Sequence, residues 1–275
     1  MPIKDILVHV DSTESSRARL RLALDLARGF EAHVCGFHVA PEAAVQLHIV
    51  PSAVGRVVES HRNHAVPAVS RSQALFEEET AASRSTTNWQ SVAGDITDRL
   101  AERARLVDLL VLGQFDEENA KGFSTHLLTE RVVAQSASPV LIVPDVGDFQ
   151  VLGGRVAVAW DGSRPAARAL RDALPFLREA SDVHVLVADV GPGPSDVKGP
   201  ELILHLARHG IRPKLSHLHA RRGSVAKVLL TTVAELGADL LVMGAYGQAP
   251  LKEFLLGGVT DDVLRQTPVP ILASH

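Results

Sequence analysis

Four glycines near the carboxyl end of the chain are the residues whose types and spacing could do chemistry. Gly244 follows a short apolar run, Gly247 comes three residues later, and Gly257 and Gly258 follow after nine more residues. Glycine lets backbone N–H groups approach an anion closely, because it has no side chain and tolerates positive φ angles. The free N–H groups of a following helix would point at the same place. This spacing suits a loop, from Gly247 to Gly257, that folds over a diphosphate or triphosphate.

Simpler interpretations of these glycines stay open. A glycine after a strand is often only part of a turn, and Gly257-Gly258 could simply begin a helix. Asp261 and Asp262 suit the positive end of a helix dipole but would repel phosphate. Lys252 is the one positive side chain between the glycines. The spacing alone is therefore weak support for a phosphate site.

The same pattern occurs twice in the chain. Residues 6–11 reappear at 156–161, and residues 107–114 reappear at 238–245. The first copy has lost most of the glycines, whose places are taken by Asp116, His126 and Leu127. Only the second copy could wrap its backbone around a phosphate, because the first has lost most of that ability.

Each copy alternates short apolar runs with longer amphipathic ones, which is typical of a parallel sheet covered by helices. The predicted strands are 5–10, 32–39, 89–93, 109–112 and 140–143 in the first copy, and 155–160, 183–188, 214–220, 240–243 and 270–273 in the second. The predicted helices are 15–28, 53–83, 95–105, 125–134, 165–179, 199–209, 224–236 and 260–265. Asp161 ends the first strand of the second copy and would face the glycine site, since first and fourth strands are neighbours at a switch point.

The fold class predicted is α/β, with two Rossmann-like domains that each have a mostly parallel five-stranded sheet and helices on both faces. We place the domains at 1–146 and 151–275. The boundary between them falls in a linker of residues 144–154. The last strand of each copy is apolar and follows a proline, and such an edge strand invites pairing with an equivalent edge. We therefore expect an internal pseudo-twofold, in which the two C-terminal strands lie side by side.

Bulk composition excludes several classes of protein. The net charge is −4 without a dense block of Lys and Arg, which argues against a general nucleic-acid binder. No apolar stretch approaches the ~18 residues of a membrane span, and the N-terminus has no signal-peptide pattern. The single Cys35 excludes an internal disulfide and fits a reducing compartment. We expect a cytoplasmic protein that binds neither nucleic acid nor membrane.

Other catalytic patterns are weak. The chain has no GxxxxGK[ST] loop and no GxSxG elbow. Ser163 followed by Pro165 is typical of a helix N-cap rather than a nucleophile. His205 and His209 could share a metal, but no third ligand lies at a useful spacing. The prediction is no catalytic residue, no metal site and no enzyme, apart from slow incidental hydrolysis of a bound nucleotide.

Together the motifs resemble a tandem universal stress protein, over both copies. The resemblance rests on the strands that end in Asp11 and Asp161, on the ADLLVMG strand and on the Gly-x2-Gly-x9-Gly pattern that begins at Gly244. It implies an adenine nucleotide α-hydrolase-like fold and an ATP-class nucleotide, with or without Mg, in the second copy.

The resemblance also implies which residues contact the nucleotide. Asp161 would meet the adenosine and Val190 the adenine. The end of the fourth strand and the loop that wraps the ribose and phosphates would be Met243, Gly244, Gly247, Gly257, Gly258, Val259 and Thr260. Gly258 stands where the family has a Ser or Thr, and losing that hydrogen bond costs about 0.5–1.5 kcal/mol, which weakens binding up to about tenfold.

The resemblance leads to two functional hypotheses. In the first, the chain is a stress-response regulator whose bound nucleotide biases contact with an unknown protein partner. In the alternative, it is a nucleotide-free interaction scaffold, which the missing hydroxyl and the paired aspartates favour. Both hypotheses include pairing of the two domains within the chain and are compatible with a homodimer.

Overall fold

Ten strands form one continuous sheet in the computed structural model of the chain. The structure describes residues 2–40, 67–114, 128–147, 149, 152–190, 199–221, 223–246 and 258–275. The strands are β1 (Asp5–His9), β2 (His33–Ala40), β3 (Thr87–Ala93), β4 (Leu109–Gly113), β5 (Val140–Val143), β6 (Arg155–Ala159), β7 (Asp182–Val190), β8 (Lys214–Ala220), β9 (Leu240–Gly244) and β10 (Ile271–Ser274). The helices are α1 (Ser15–Phe30), α2 (residues 67–80), α3 (Ile96–Ala104), α4 (Leu128–Gln135), α5 (Arg164–Asp172), α6 (Leu174–Glu179), α7 (Gly199–Arg208), α8 (Val225–Glu235) and α9 (Val259–Gln266).

The predicted succession of strands and helices is confirmed in the described parts of the chain, with small shifts at the ends of elements. The helix predicted over 165–179 was wrong in one respect, because it is two helices, α5 and α6, separated at Ala173. Pro175 explains the break, since proline has no N–H to donate and its ring clashes with the preceding turn. Of the helix predicted over 53–83, only residues from 67 onward are among those described, and 67–80 are helical.

The two halves are joined through their last strands. The order in the sheet is β3-β2-β1-β4-β5-β10-β9-β6-β7-β8. All neighbouring strands are parallel except β5 and β10, which are antiparallel, with Leu141 opposite Leu272. These two leucines occupy equivalent positions in the two copies, so the pseudo-twofold axis passes between them. The predicted side-by-side packing of the C-terminal strands is confirmed.

Helices cover both faces of the sheet because its strands are apolar on both faces. In β4, Leu109 and Val111 belong to one apolar cluster, whereas Leu110 and Leu112 belong to the other. The first cluster is completed by residues of α1, α2, α5, α6 and α7, and the second by residues of α3, α4, α8 and α9. This burial on both faces is what a doubly wound parallel sheet requires.

The helices also connect the two halves across the pseudo-twofold axis. On one face, the ring of Phe30 at the end of α1 meets the ring of Phe176 in α6 edge to face, with centroids 5.4 Å apart. On the other face, Gln114 Nε2 donates to the carbonyl oxygens of Leu264 and Arg265, at 2.8 and 2.7 Å. Gln114 thereby satisfies carbonyl groups at the end of α9 that have no partner within the helix.

A pair of equivalent carboxyl groups meets at this interface. Glu130 in α4 and Asp261 in α9 lie 131 positions apart, the same offset that relates the two C-terminal strands. Glu130 is buried. Arg265 Nε donates to Asp261 Oδ1 at 2.7 Å, and its Nη2 is 4.0 Å from Glu130 Oε1. Burial, together with the hydrogen bond and charge of Asp261, raises the pKa of Glu130 to about 8, although Arg265 works in the opposite direction.

The N-terminus of α5 packs directly on the end of β9. A Cβ atom added at Gly244 would lie 2.2 Å from the backbone N of Ala166 and 2.5 Å from the carbonyl carbon of Pro165. Both are backbone atoms, so no side-chain rotation could relieve the contact. Gly244 does not have a positive φ angle. It is glycine here because the helix backbone approaches the strand so closely, and not because of a left-handed conformation.

Replacing Glu130 with Gln should flatten the pH dependence of stability. Folded Glu130 keeps its proton between the ordinary pKa of 4.5 and about 8, whereas the unfolded chain has lost it, so the free energy of unfolding falls as pH rises through this range. Glu130→Gln should reduce that fall by at least about 1.4 kcal/mol, the equivalent of one pKa unit. Urea denaturation at pH 5, 6.5 and 8 measures it, with the exposed Glu102→Gln as the control. Equal slopes in the wild-type protein and Glu130→Gln would contradict this assignment.

Gly244→Ala should destabilise the protein by about 1–3 kcal/mol, because the added methyl group meets fixed backbone. Gly29→Ala is the matched control, since a Cβ at Gly29 has no other atom within 4 Å and alanine is favoured over glycine in a helix. The control should leave the midpoint of thermal unfolding unchanged or slightly higher. If both variants melt at the same temperature, the close approach of α5 to β9 is not a constraint.

Candidate functional site

The C-terminal half has its topological switch point between β6 and β9. These strands are parallel neighbours, with Ala159 opposite Met243. Beyond β6 the sheet continues to β7 and β8, and beyond β9 it continues to β10. Open α/β sheets bind ligands at the carboxyl ends of the strands at such a point. Asp161 follows β6 and Gly244 ends β9, so the structure brings these two predicted site residues to the same edge.

Asp161 is held in a turn that leads into α5. Its Oδ1 accepts a hydrogen bond from the backbone N of Ser163 at 2.8 Å, and Ser163 Oγ accepts from the backbone N of Ala166 at 3.2 Å. Ser163 is therefore the N-cap that the sequence predicted, with Pro165 in the first turn. Asp161 is exposed to solvent. The turn fixes one carboxylate oxygen and leaves the group accessible to a ligand.

Met243 and Val190 lie at the carboxyl ends of two different strands at this edge of the sheet. The Met243 side chain is buried in the apolar cluster on the α8 and α9 face, so only its backbone reaches the edge. Val190 ends β7, opposite Ala220 of β8. β6 and β7 pair as far as Ala159 with Leu186, so Val190 lies beyond the end of β6, on the same side as Asp161.

The N-terminus of α9 is the second part of the site. Gly258 is the N-cap in an extended conformation, with φ −103° and ψ 172°, and no side chain caps this helix within the described parts of the chain. By contrast, α3 is capped by Asp95, as α5 is by Ser163. The first N–H groups of α9 can therefore donate to an anion. Val259 is exposed and Thr260 is buried. The predicted site residues Gly247 and Gly257 lie outside the described residues.

One unusual residue at this site was not predicted from the sequence. Tyr246 has φ 58°, a left-handed conformation that bulky residues rarely adopt. Its ring lies 6.2 Å from the ring of His275, and His275 Nδ1 donates to the carbonyl oxygen of Ala245 at 3.0 Å. Strained backbone of this kind is concentrated at functional sites. The neighbouring glycines indicated a turn, but nothing in the sequence showed that Tyr246 itself takes the positive φ.

The equivalent place in the N-terminal half is filled by an ion pair between a buried arginine and a partly buried aspartate. Asp11 Oδ2 accepts from Arg19 Nη2 at 3.0 Å, and the same Nη2 donates to Ser16 Oγ at 2.7 Å. Arg19 is only 2% exposed. Burial alone would raise the pKa of Asp11, but Arg19, His9 and the Thr13 hydrogen bonds outweigh it and hold that pKa well below its usual range.

His9 belongs to the same cluster and stays neutral. Burial lowers its pKa to about 4, and the charge of Arg19 acts in the same direction, against the attraction of Asp11. His38 Nδ1 donates to the carbonyl oxygen of Val10 at 2.8 Å. The sequence did not predict this cluster, although an arginine on the apolar face of a predicted helix, eight residues after an aspartate, was a signal for it.

Comparison with known proteins places the chain in a family. The model of the universal stress protein family matches residues 2–144 and again residues 154–275. The chain is 27% identical to the universal stress protein Slr1230 of Synechocystis sp. over 190 residues, which is 65% of this chain and 62% of that protein. The chain thus spans less than two thirds of that relative's length.

Solved structures show the same fold over nearly the whole chain. A universal stress protein from Archaeoglobus fulgidus superposes with a TM-score of 0.69 and 19% identity, covering 98% of this chain and 95% of its own. A functionally unknown protein from Pseudomonas aeruginosa superposes with a TM-score of 0.60 and 17% identity, covering 99% and 92%. None of the helices described is long and apolar enough to cross a membrane. Because the family model matches both halves of the molecule, the chain belongs to the universal stress protein family, as a tandem of two such domains.

Proposed function

We propose that the C-terminal domain, with bounds 151–275, binds an adenine nucleotide of the ATP class and acts as a stress-response regulator. The observation that carries this proposal is the difference between the two equivalent aspartates. Asp161 is exposed at its switch point, whereas Asp11 is bonded to a buried arginine. A carboxylate that accepts from ribose hydroxyls or an adenine amino group must be accessible. The C-terminal one is exposed, whereas the Asp11 side chain is 28% exposed and is already bonded to Arg19.

The uncapped start of α9 supports the phosphate part of the proposal. N–H groups of the first turn of a helix donate to phosphate oxygens, and the helix dipole adds to this attraction. Gly258 adds no side chain that would obstruct the approach. Asp261 and Asp262 in the same turn oppose an anion, and a divalent cation that arrives with the nucleotide would offset part of that repulsion. The residues present therefore fit a nucleotide of modest affinity.

We further propose that the bound nucleotide biases contact with a protein partner rather than undergoing rapid turnover. At the described part of the site, Asp161 is the exposed carboxylate, and its Oδ1 is already engaged by Ser163. The arrangement would hold a ligand, but among the described residues no second titratable side chain is bonded to Asp161 that could make it a general base. Any hydrolysis would be slow and incidental.

A nucleotide-free scaffold is the second candidate function. It is favoured by the two aspartates at the start of α9 and by the absence of a hydroxyl at Gly258. In that case the surfaces of the molecule, and not a ligand, would select the partner. The two candidates differ in one measurable property, which is stabilisation by nucleotide.

Thermal unfolding with ATP, ADP and AMP, each with and without Mg, separates these functions. A nucleotide at 100 times its Kd should add about 2.7 kcal/mol to the free energy of unfolding, which is roughly a 5–10 °C rise in Tm for a chain of this size. Gly247→Val should abolish the rise, because a side chain would obstruct the proposed loop. Asp116→Gly, at the corresponding region of the N-terminal half, should neither create a second site nor remove the first.

Two outcomes would reject the proposed site. One is the absence of any stabilisation by millimolar nucleotide in the wild-type protein, which would favour the scaffold. The other is unchanged stabilisation in a folded Gly247→Val variant, which would place the nucleotide elsewhere.

A further inference from the structure

We propose that the Arg19 side chain occupies the N-terminal switch point and excludes a ligand from it. The residue at this position in each half then decides which half accepts a nucleoside. The inference rests on the function proposed for the C-terminal half, because it compares the two switch points. It assigns a role to a residue that takes no part in the C-terminal site.

Arg19 and Ala169 occupy equivalent positions. The offset of 150 that relates Asp11 to Asp161 also relates Arg19 to Ala169 without a gap. Both residues are buried, 2% and 1% exposed, on the side of their helix that faces the sheet. The comparison therefore concerns one place in the fold, filled by a guanidinium in one half and by a methyl group in the other.

The guanidinium of Arg19 lies at the end of β4. A Cβ added at Gly113 would be 2.0 Å from Arg19 Nη1 and 3.7 Å from Asp145 Oδ1. β1 and β4 are parallel neighbours, so this is the N-terminal counterpart of the edge formed by β6 and β9. Arg19 thus fills the space beside Asp11 that a ligand would need.

The same space is arranged differently in the C-terminal half. The atoms that lie against Gly244 are the backbone atoms of Pro165 and Ala166. Ala166 is the equivalent of Ser16, and Ala169 that of Arg19, so neither Arg19 nor its hydroxyl partner has a counterpart. With small residues at both positions, α5 packs close to the strand without a buried charge, and Asp161 stays at the surface.

Charge and burial make the closure effective against nucleotides. A ligand that uses Asp11 must separate it from Arg19, and the buried guanidinium of Arg19 would then lose the carboxylate that compensates its charge. The expected penalty is about tenfold or more in affinity. The carboxylates of Asp11 and Asp145 near the guanidinium would also repel phosphate. A nucleoside without phosphate is therefore the ligand that an opened N-terminal site should take first.

The test is adenosine binding by Arg19→Ala in a Gly247→Val background, which blocks the proposed C-terminal site. Equilibrium dialysis with millimolar adenosine should show one bound adenosine for Arg19→Ala in this background, and none for Gly247→Val alone. Adenosine should likewise raise the Tm of the first protein and not that of the second. Arg21→Ala is the matched control, because Arg21 lies on the same helix but is exposed and bonded to Glu79. It should give no binding.

A carboxyl NMR titration of the same proteins checks that the site has opened. The pKa of Asp11 should rise towards its usual range in Arg19→Ala and stay low in Arg21→Ala. A folded Arg19→Ala variant in which this pKa rises but adenosine does not bind would overturn the proposal, since Arg19 would then be only a structural partner of Asp11.

A double variant covers the case in which Arg19→Ala alone does not fold. Arg19→Ala combined with Asp11→Asn removes both charges and avoids an unpaired, partly buried carboxylate, while the amide can still bond to hydroxyl groups. It should also bind adenosine, more weakly, and failure to do so would overturn the proposal. Failure of the proposed function gives a different result, namely no stabilisation of the wild-type protein by any adenine nucleotide.

Discussion

The antiparallel pairing of β5 with β10 is the interaction on which the rest of the structure depends. Each half-sheet would otherwise end in a short apolar strand with open N–H and C=O groups, a template for aggregation. Pairing buries both strands completely. Because Leu141 lies opposite Leu272, equivalent residues of the two halves approach each other around the axis. The meeting of Glu130 with Asp261 is a direct consequence of that register.

A shared sheet also lets equivalent positions diverge without loss of the fold. Leu20 and Leu170 remain apolar and buried in both halves, because both pack against the sheet. Arg19 and Ala169 differ, because each lies at the switch point of its half. There the side chain must suit the charge of the nearby aspartate as well as the available volume. One half neutralises its aspartate internally, and the other exposes it. The duplicated architecture therefore carries two different electrostatic environments at its two switch points.

The sequence predicted the parts of this structure that depend on periodicity and local turn chemistry. The strands of both halves, the Ser163 cap and the joining of the halves through their last strands all follow from apolar runs, a capping residue and the edge-strand argument. The break at Ala173 was missed, although Pro175 was a visible signal. The Arg19 and Glu130 clusters were not predictable in the same way, because each depends on residues that only the tertiary packing brings together. The need for a glycine at position 244 was not predictable either, because it arises from the close approach of α5 to the end of β9.

One helix, α9, connects the proposed nucleotide site to the interface between the halves. It begins at the uncapped Gly258 end, contacts Glu130 through Asp261 in its first turn, and ends where Gln114 binds its carbonyl oxygens. A phosphate at its N-terminus would lie within a turn of Asp261 and would favour the state in which Glu130 retains its proton beside Asp261. Linkage is reciprocal, so the protonated pair would favour the phosphate equally. Occupancy of the C-terminal site would then reach the N-terminal half through charge alone, without any rearrangement of the sheet.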